Sequence, residues 1–322
     1  MSVWSGRLRD CLIWMGLVAP LAFYGFRTAQ RPALDSTEAQ PLFEGITYQR
    51  IVERRPRSQL LHLLEIDLTA AGLKPFSTPS IGQLTGDAAV ASTIQKNAVR
   101  ETQAQKTSNF LQTHGLQLAV NANFFYPFEE KAPWNYGPYE GDPVSLVGIA
   151  MSDGEMVSYE HPRYSTLCFL PGRAEIVFEA FCPEGTTQAV AGQSLWLSSE
   201  PFPDDRKFLE TQFDSPKPYA LNLAGISEDG TRLWLLLSDG KQPLYSEGTT
   251  LEEGALRLKA EGAVEVVQLD GGGSTTLVIE NSAGEVDRSK ILNAVIHTKV
   301  PGRERPVANH LGFFAEPLPL RN

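Results

Sequence analysis

A glycine-rich stretch late in the chain holds the densest set of residues that could do chemistry. Residues 266–276 read VVQLDGGGSTT, an apolar segment followed by a carboxylate, three glycines and three hydroxyls. Three consecutive glycines lose more backbone entropy on ordering than other tripeptides, so an ordered run needs a compensating role. Glycines would let the backbone and its N–H groups approach a ligand closely. The candidate residues of this loop are Asp270, Gly271, Gly272, Gly273, Ser274 and Thr275.

The residues after the glycines exclude two nucleotide-binding motifs. A P-loop ends in Gly-Lys-Ser/Thr, and a dinucleotide fingerprint needs GxGxxG at the start of a helix. Here the apolar, β-branched segment TLVIE (276–280) follows, which predicts that the loop joins two strands. No helix N-terminus is then available locally to hold an anion. A plain glycine-rich turn, in which Asp270 caps its own loop amides, is the alternative interpretation.

Other polar residues stand at the ends of predicted strands, where they could complete a site with Asp270. Asp239 follows the apolar run of TRLWLLLSDG and is the second catalytic candidate. Late arginines could bind an anion through bidentate guanidinium contacts. Taken singly, each residue has a simpler interpretation as a turn former or a surface charge. The substrate-binding candidates outside the loop are Asn121, Asn123, Arg305 and Asn309.

Histidines and aromatic residues offer weaker candidates. His114 and His310 could act as acid–base groups near neutral pH, although a structural role is the simpler interpretation of each. Trp134, Tyr136 and Tyr139 lie in a Pro- and Gly-rich loop and could stack on a sugar ring or simply pack together.

Short apolar runs separated by turn residues predict a β-rich fold. One helix is well marked after residue 249, because Thr250 and Glu253 form a capping box and Gly262 suits the C-terminal cap. One or two more helices are expected within 86–113. Strands outnumber helices and do not alternate with them regularly. We therefore predict an α+β fold: a single β-rich domain of mixed or antiparallel sheets with a few helices, preceded by an apolar N-terminal segment.

The N-terminus predicts export. Arg7 and Arg9 precede residues 11–26, which carry no charge and resemble a signal-peptide core or a short membrane anchor. A buried core helix is the alternative. The predicted division is a signal peptide or anchor with a polar linker at 1–42, and a catalytic domain at 43–317. The domain would then be secreted, periplasmic or anchored outside the cytoplasm.

Composition and cysteines limit the partners and cofactors. The net charge of −10 argues against nucleic-acid binding, which needs a basic face. Cys168 and Cys182 bracket two predicted strands around Gly172; that turn would place Cys168 opposite Ile176, so a disulfide is left open. No Cys/His spacing indicates a metal site. The sequence requires no cofactor, and the metal ligands are undetermined, although a divalent cation such as calcium is compatible with a carboxylate beside hydroxyls.

Four segments in this order resemble the phosphodiester glycosidase family. They are AVNANFF (119–125), AVAGQSLWL (189–197), the long stretch from LLLSDG to DGGGSTTLVI (235–279) and ERPVANHLGFF (304–314). The resemblance spans roughly residues 45–315, and the DGGGS and RPVAN elements are its most specific parts.

The resemblance implies hydrolysis of an α-linked sugar 1-phosphodiester, which releases the sugar and a phosphomonoester. It places the glycine-rich loop in the site, with Asn121, Asp239, Arg305 and Asn309 as companions. Two departures bear on the substrate. Lys217 and Tyr219 stand near where the family often has Arg and Thr, and Asn123 replaces a frequent glycine.

The residue types fit that reaction. Most glycosidases use two carboxylates, but a phosphate is a weakly basic leaving group that needs less protonation. Charge stabilisation by Arg305 and the loop amides could do much of the work of the acid, and Asp270 would activate water or attack the anomeric carbon. The substrate would be a carbohydrate or glycosyl phosphate of an envelope or extracellular glycan. The alternatives are a non-catalytic glycan-binding module and, less favoured because no His/Asp cluster appears, a metal-dependent phosphodiesterase.

Overall fold

The computed structural model describes residues 18–82, 100–159, 161, 163–178, 181–196, 217–281 and 288–319. The helices are α1 (18–29), α2 (Thr107–His114) and α3 (Leu251–Glu261). In chain order the strands are β1 (Gln40–Phe43), β2 (Ile46–Glu53), β3 (Gln59–Asp67), β4 (Lys74–Ser77), β5 (Thr102–Gln103), β6 (Leu118–Asn121), β7 (Phe125–Tyr126), β8 (Glu129–Ala132), β9 (Asn135–Gly137), β10 (Pro143–Leu146), β11 (Ala150–Ser152), β12 (Glu155–Ser158), β13 (Ser165–Leu170), β14 (Arg173–Phe178), β15 (Gln188–Trp196), β16 (Leu221–Ile226), β17 (Arg232–Asp239), β18 (Glu265–Gln268), β19 (Leu277–Glu280), β20 (Ser289–Ile291), β21 (Ile296–His297), β22 (Val300–Pro301) and β23 (His310–Phe314).

Two antiparallel sheets form the body of the domain. The larger sheet has 11 strands; its main path runs β1-β2-β3-β17-β16-β18-β15-β11-β12, and β13 pairs with both β15 and β14. The smaller sheet has five strands in the order β20-β19-β6-β23-β4. This arrangement confirms the predicted β-rich α+β class. Short pairs, β8 with β9 and β21 with β22, project from this body and carry residues of the site.

The sheets pack face to face, and one helix covers each outer face. The core between them joins Leu64 and Leu235 of the larger sheet to Val120 and Leu311 of the smaller sheet. Because both faces are covered, strands such as β3 and β17 are apolar on both sides instead of alternating with polar residues. The outer face of the larger sheet packs on α3, and that of the smaller sheet packs on α2.

Both helices of the body end at a glycine in the left-handed conformation, but only α3 begins with a side-chain cap. Helix α3 begins at the predicted capping box, in which the Thr250 hydroxyl accepts from Glu253 N at 3.2 Å and Thr250 N donates to the Glu253 carboxylate at 2.9 Å. It ends at Gly262 in the left-handed conformation, as predicted. Helix α2 falls in the segment predicted to be helical, 86–113. Within that segment residues 100–106 are not helical and include β5, and residues 86–99 lie outside the described residues.

The segment that we predicted as a polar linker packs along the larger sheet. Thr37 N donates to Arg50 O of β2 at 2.8 Å, and Tyr245 Oη donates to Pro32 O at 2.8 Å. The segment shows no apolar periodicity because its contacts are mainly polar, so the sequence pattern did not reveal this docking.

Helix α1 is exposed in the described residues. Leu21 has 73% of its surface exposed, which contradicts the alternative of a buried core helix. Among the described residues no helix is long and apolar enough to cross a membrane. The choice between signal peptide and anchor stays a prediction.

The disulfide that the sequence left open is formed. Cys168 lies opposite Glu175, not Ile176, and Cys182 lies beyond the end of β14 with its Cα 5.7 Å from that of Cys168. The register between β13 and β14 therefore does not decide whether the disulfide forms, because Cys182 lies outside the paired residues of that hairpin.

Candidate active site

The glycine-rich loop carries the chain from the larger sheet to the smaller one. It leaves β18 at Asp270, makes a single 3-10 turn over Gly272–Ser274 and enters β19. Backbone hydrogen bonds fasten it on both sides: Asp270 N donates to Ala122 O and Gly272 N donates to Ala220 O, each at 2.8 Å. The loop is thus an ordered crossing between the two sheets.

Each of the three glycines is required by a different close approach. A Cβ on Gly271 would lie 2.8 Å from Ala220 O, and one on Gly272 would lie 2.9 Å from the Tyr219 ring. Gly272 also has φ +67°, in the left-handed region that favours glycine. A Cβ on Gly273 would lie 2.5 Å from the Arg305 guanidinium. The loop therefore has to be glycine so that a tyrosine ring and a guanidinium can lie directly against its backbone.

Three backbone amides of the loop make hydrogen bonds within the protein. Gly272 N donates to Ala220 O, Ser274 N donates to Gly271 O at 3.2 Å, and Gly271 N donates to the Asp270 carboxylate. Three amides are therefore used within the protein. The positive charge for an anion comes instead from side chains.

Arg305 is the central cation of the site. Its side chain is 5% exposed, and Nη1 donates to Ser274 Oγ at 3.0 Å. Nε donates to His297 Nδ1 at 3.2 Å, and the guanidinium lies 4.5 Å from the centre of the Phe128 ring. Nη2 pairs with the Glu130 carboxylate. Because an arginine has no acceptor, its contact fixes the neutral His297 with the proton on Nε2.

Asp270 lies in the electrostatic field of Arg305. Burial raises its pKa to about 6, and the Ser274 hydroxyl, Arg305, the Gly271 amide and Lys241 each oppose the rise. Asp270 in turn contributes to the raised pKa of Tyr164, after burial of that phenol. The aspartate is therefore a carboxyl group that changes its charge near neutral pH, beside a buried guanidinium.

The asparagines predicted to bind substrate are buried and hydrogen-bonded to the protein. Asn121 Nδ2 donates to Asp270 O, and its Oδ1 accepts from Thr276 N at 3.0 Å, so one side chain holds both ends of the loop. Asn123 donates to Val147 O and accepts from Asn309 Nδ2 at 2.8 Å. These contacts favour a positioning role for all three asparagines over direct contact with substrate.

Asp239 also has a fully occupied carboxylate. It is 1% exposed, accepts from Ala294 N at 2.9 Å and Asn293 Nδ2 at 3.2 Å, and lies 3.4 Å from His62 Nε2. Asn293 Nδ2 also donates to Thr275 O at 3.0 Å. Asp239 is therefore linked to the loop through the side chain of Asn293. This geometry favours a positioning role for Asp239 over the catalytic role predicted for it.

Thr275 and His297 keep polar atoms without a protein partner. Thr275 Oγ1 and His297 Nε2 are both buried and make no hydrogen bond within the described part of the chain. Burial, then Arg305 and Arg303, lowers the pKa of His297 to about 3, so the ring is neutral at physiological pH. Both atoms therefore keep hydrogen-bonding capacity that the described part of the protein does not use.

A small hairpin of β8 and β9 covers the cation. Besides the Glu130–Arg305 pair, Arg303 Nη1 donates to Pro133 O at 2.7 Å and Arg303 Nη2 contacts Tyr136 Oη at 3.1 Å. The Tyr136 ring meets the His297 ring edge-on, with their centres 4.7 Å apart. Trp134 at the hairpin tip is 81% exposed. The hairpin thus reaches the site through one carboxylate and one aromatic ring.

Several site residues were missed by sequence reasoning. Glu130 and His297 stand in segments without a chemical motif, and only folding brings them to Arg305. Lys241 directly follows the Asp-Gly pair that was singled out, and its Nζ lies 4.2 Å from the centre of the Tyr219 ring. His310 bonds Thr78 Oγ1 at 2.9 Å and stacks on Phe110, contacts that favour a structural role for this histidine.

The described residues contain no group of three His, Cys, Asp or Glu side chains that could hold a metal ion. The cations that act on Asp270 are Arg305 and Lys241, and they oppose binding of a further cation. The calcium expectation stays a prediction, and the site as built is suited to an anion.

The pKa of Asp270 predicts how the protein's stability depends on pH. Because the folded state raises this pKa, it holds the proton more tightly than the unfolded chain, and ionisation destabilises the fold as pH rises from about 4 to about 6. Asp270→Asn removes this penalty. We therefore expect the variant to have a higher Tm than the original protein at pH 7.5, and the difference to shrink towards pH 4.

Asp229→Asn is the control with the opposite sign, because hydrogen bonds from Ser227 and Thr231 lower the pKa of Asp229. It should lower the Tm at pH 7.5. Thermal unfolding of the three proteins across this pH range measures the effect. A Tm for Asp270→Asn that stays below the original at every pH would contradict the account.

Known proteins share both the sequence pattern and the fold. The pattern of the phosphodiester glycosidase family matches residues 114–314. The catalytic domain of zebrafish N-acetylglucosamine-1-phosphodiester alpha-N-acetylglucosaminidase, auto-inhibited by its pro-peptide, superposes with a TM-score of 0.53 at 16% identity, over 89% of this chain and 87% of that chain. A Burkholderia pseudomallei protein, named as a candidate exported protein, gives 0.52 at 15% identity, over 80% and 74%.

At these identities the structural likeness shows the fold alone. No protein with a curated function matches the sequence. The family pattern covers more than half of the chain and includes the loop, Arg305 and most of both sheets. The chain therefore belongs to the phosphodiester glycosidase family.

Proposed function

We propose that the protein hydrolyses an α-linked sugar 1-phosphodiester and releases the sugar and a phosphomonoester. One observation carries the proposal: a carboxyl group with a pKa of about 6 lies in the field of a buried guanidinium, on a loop whose glycines allow that approach. Family membership supports the glycosidase class of the reaction. The α-linkage is our inference.

Arg305 would bind the phosphate of the substrate. Guanidinium groups pair well with phosphate oxygens, and burial of this one strengthens the attraction. Ser274 Oγ holds Nη1, and His297 Nδ1 accepts from Nε, so the plane of the guanidinium is fixed before the substrate arrives. Thr275 Oγ1 and His297 Nε2 would offer further hydrogen bonds to the substrate, because both lack a partner among the described residues.

Asp270 would act in its ionised form at the anomeric carbon. In the reaction the bond between that carbon and the phosphate oxygen breaks, and the phosphomonoester leaves with the bonding electrons. The oxygen of water becomes the hydroxyl of the free sugar. Asp270 either accepts the proton of the attacking water or attacks the carbon first; both routes need only one carboxylate, because the leaving phosphate is stabilised by Arg305.

Export is part of the proposal. The Cys168–Cys182 disulfide is typical of proteins that fold in an oxidising compartment, and residues 11–26 resemble a signal core or a membrane anchor. A secreted, periplasmic or membrane-anchored enzyme would meet glycosyl phosphates of the envelope or of extracellular glycans.

The direct test is release of free sugar from an α-glycosyl phosphodiester by the purified protein. Asp270→Asn should lower kcat about 10²–10⁴-fold, the usual contribution of a positioned acid–base group. In the unaltered enzyme kcat/KM should fall below a pH of about 6, where Asp270 takes up a proton.

Glycan binding that survives Asp270→Asn, without turnover on a substrate panel, would overturn the enzymatic proposal in favour of a binding module. Full activity of the variant would show that another residue performs the chemistry. The exposed Glu129→Gln variant, which leaves the site untouched, serves as the control.

The Glu130–Arg305 ion pair gives a second testable prediction, because the Glu130 carboxylate is paired with the guanidinium that would bind phosphate. Glu130→Gln removes this competing negative charge, so KM should fall roughly two- to fivefold, the range expected from an ion pair of about 1 kcal/mol or less. Glu129→Gln on the same hairpin changes an exposed pair with Lys131 and should leave KM unchanged. An unchanged or higher KM for Glu130→Gln, or an equal fall in both variants, would contradict this role.

A further inference from the structure

A second cationic site lies away from Asp270, between the N-terminal segment and the edges of the two sheets. A cleft of about 530 Å³ is lined by residues of 27–40, β2, β20 and the segment 292–295. Four of the described residues that line it are basic, and none of those lining residues is Asp or Glu. In a chain whose net charge is −10, this is a strong local concentration of positive charge. The four are Arg27, Arg31, Arg50 and Lys290.

Two of the arginines are positioned without being neutralised. Arg27 Nε donates to Pro301 O at 3.1 Å, and its Nη2 donates to Gly302 O. Arg31 lies over the Tyr245 ring, 5.0 Å from its centre. Its Nε is buried and has no hydrogen-bond partner in the described ranges. Carbonyl oxygens and an aromatic ring orient these guanidinium groups, yet they leave the full charge available to an anion.

Within the part of the chain that the structure describes, only one of the four cations has an acidic partner. Arg50 pairs with Asp35, whose side chain is 63% exposed, so solvent weakens the neutralisation. Lys290 is exposed on β20. Neutral polar side chains, Thr37 and Asn293 among them, complete the wall. Three positive charges therefore have no acidic partner among the described residues around this cavity, an arrangement that suits a phosphate group.

The position of the cleft indicates where such a phosphate would come from. Arg27 is in the last turn of helix α1, whose large apolar side chains point into solvent: Leu21, Phe23 and Phe26 are each more than half exposed. An exposed apolar helix that ends at a basic cleft is typical of a segment that meets a lipid surface, with its cations at the level of the headgroups.

We propose that this cleft binds the phosphate of an anionic phospholipid headgroup and so holds the domain on a lipid surface. The cleft does not include Asp270 or Arg305, and it does not depend on the reaction proposed there. The two proposals can fail independently, because hydrolysis of a soluble glycosyl phosphodiester reports on the candidate active site alone.

The test is binding of the full chain to vesicles of phosphatidylcholine alone and of phosphatidylcholine with phosphatidylglycerol. Lys290→Gln and Arg31→Gln should each weaken binding to the anionic vesicles about fivefold, the effect of one cation near a charged bilayer, and leave binding to neutral vesicles unchanged. Lys74→Gln is the matched control, because Lys74 is exposed on β4 outside the cleft. Hydrolysis of a soluble substrate should be unchanged in Lys290→Gln.

Two results would overturn the proposal. One is an equal affinity for anionic vesicles in Lys290→Gln, Lys74→Gln and the unaltered protein. The other is stabilisation by inorganic phosphate that is lost in Lys290→Gln while vesicle binding stays the same, which would assign the cleft to a soluble anion. Because Lys290 is exposed, its substitution should leave the Tm unchanged, and this separates loss of binding from loss of fold.

Discussion

The approach of one buried guanidinium to a glycine backbone constrains the rest of the site. Arg305 can lie against the loop only because residue 273 has no Cβ, and Tyr219 can lie against it only because residue 272 has none. The three glycines must therefore be ordered although they have no side chains of their own to offset the entropy cost. Two asparagines supply the compensation: Asn121 binds both ends of the loop, and Asn293 joins Thr275 O to the buried carboxylate of Asp239.

The same packing sets the charge of Asp270. Burial alone disfavours its ionised form, whereas the hydroxyl of Ser274 and the guanidinium of Arg305 favour it, and the balance places the pKa near 6. At neutral pH Asp270 is therefore ionised and available for chemistry, but its ionisation lowers the folding stability. Such a conflict between local stability and charge is characteristic of functional sites.

The sequence predicted the parts of this molecule that depend on local patterns. The capping box at Thr250, the β-rich class and the strand-to-strand position of the loop all follow from short-range rules, and Asp270 with Arg305 follows from the family motif. It could not predict Glu130 or His297, which reach the site only through the β8–β9 and β21–β22 hairpins. It also assigned Asn121, Asn123 and Asn309 to substrate binding and Asp239 to catalysis, whereas their contacts favour positioning roles. Residue type alone does not reveal whether a polar group already has a protein partner.

The central claim is that the site acts at the sugar carbon, with the phosphate held as a leaving group by Arg305. Hydrolysis of an α-glycosyl phosphodiester in ¹⁸O-labelled water tests this claim most directly, since mass spectrometry of the two products locates the oxygen. The proposed mechanism predicts the label in the released sugar and unlabelled phosphomonoester. Label in the phosphomonoester would mean attack at phosphorus, and it would contradict both the action of Asp270 at the anomeric carbon and the stabilisation of the leaving phosphate by Arg305.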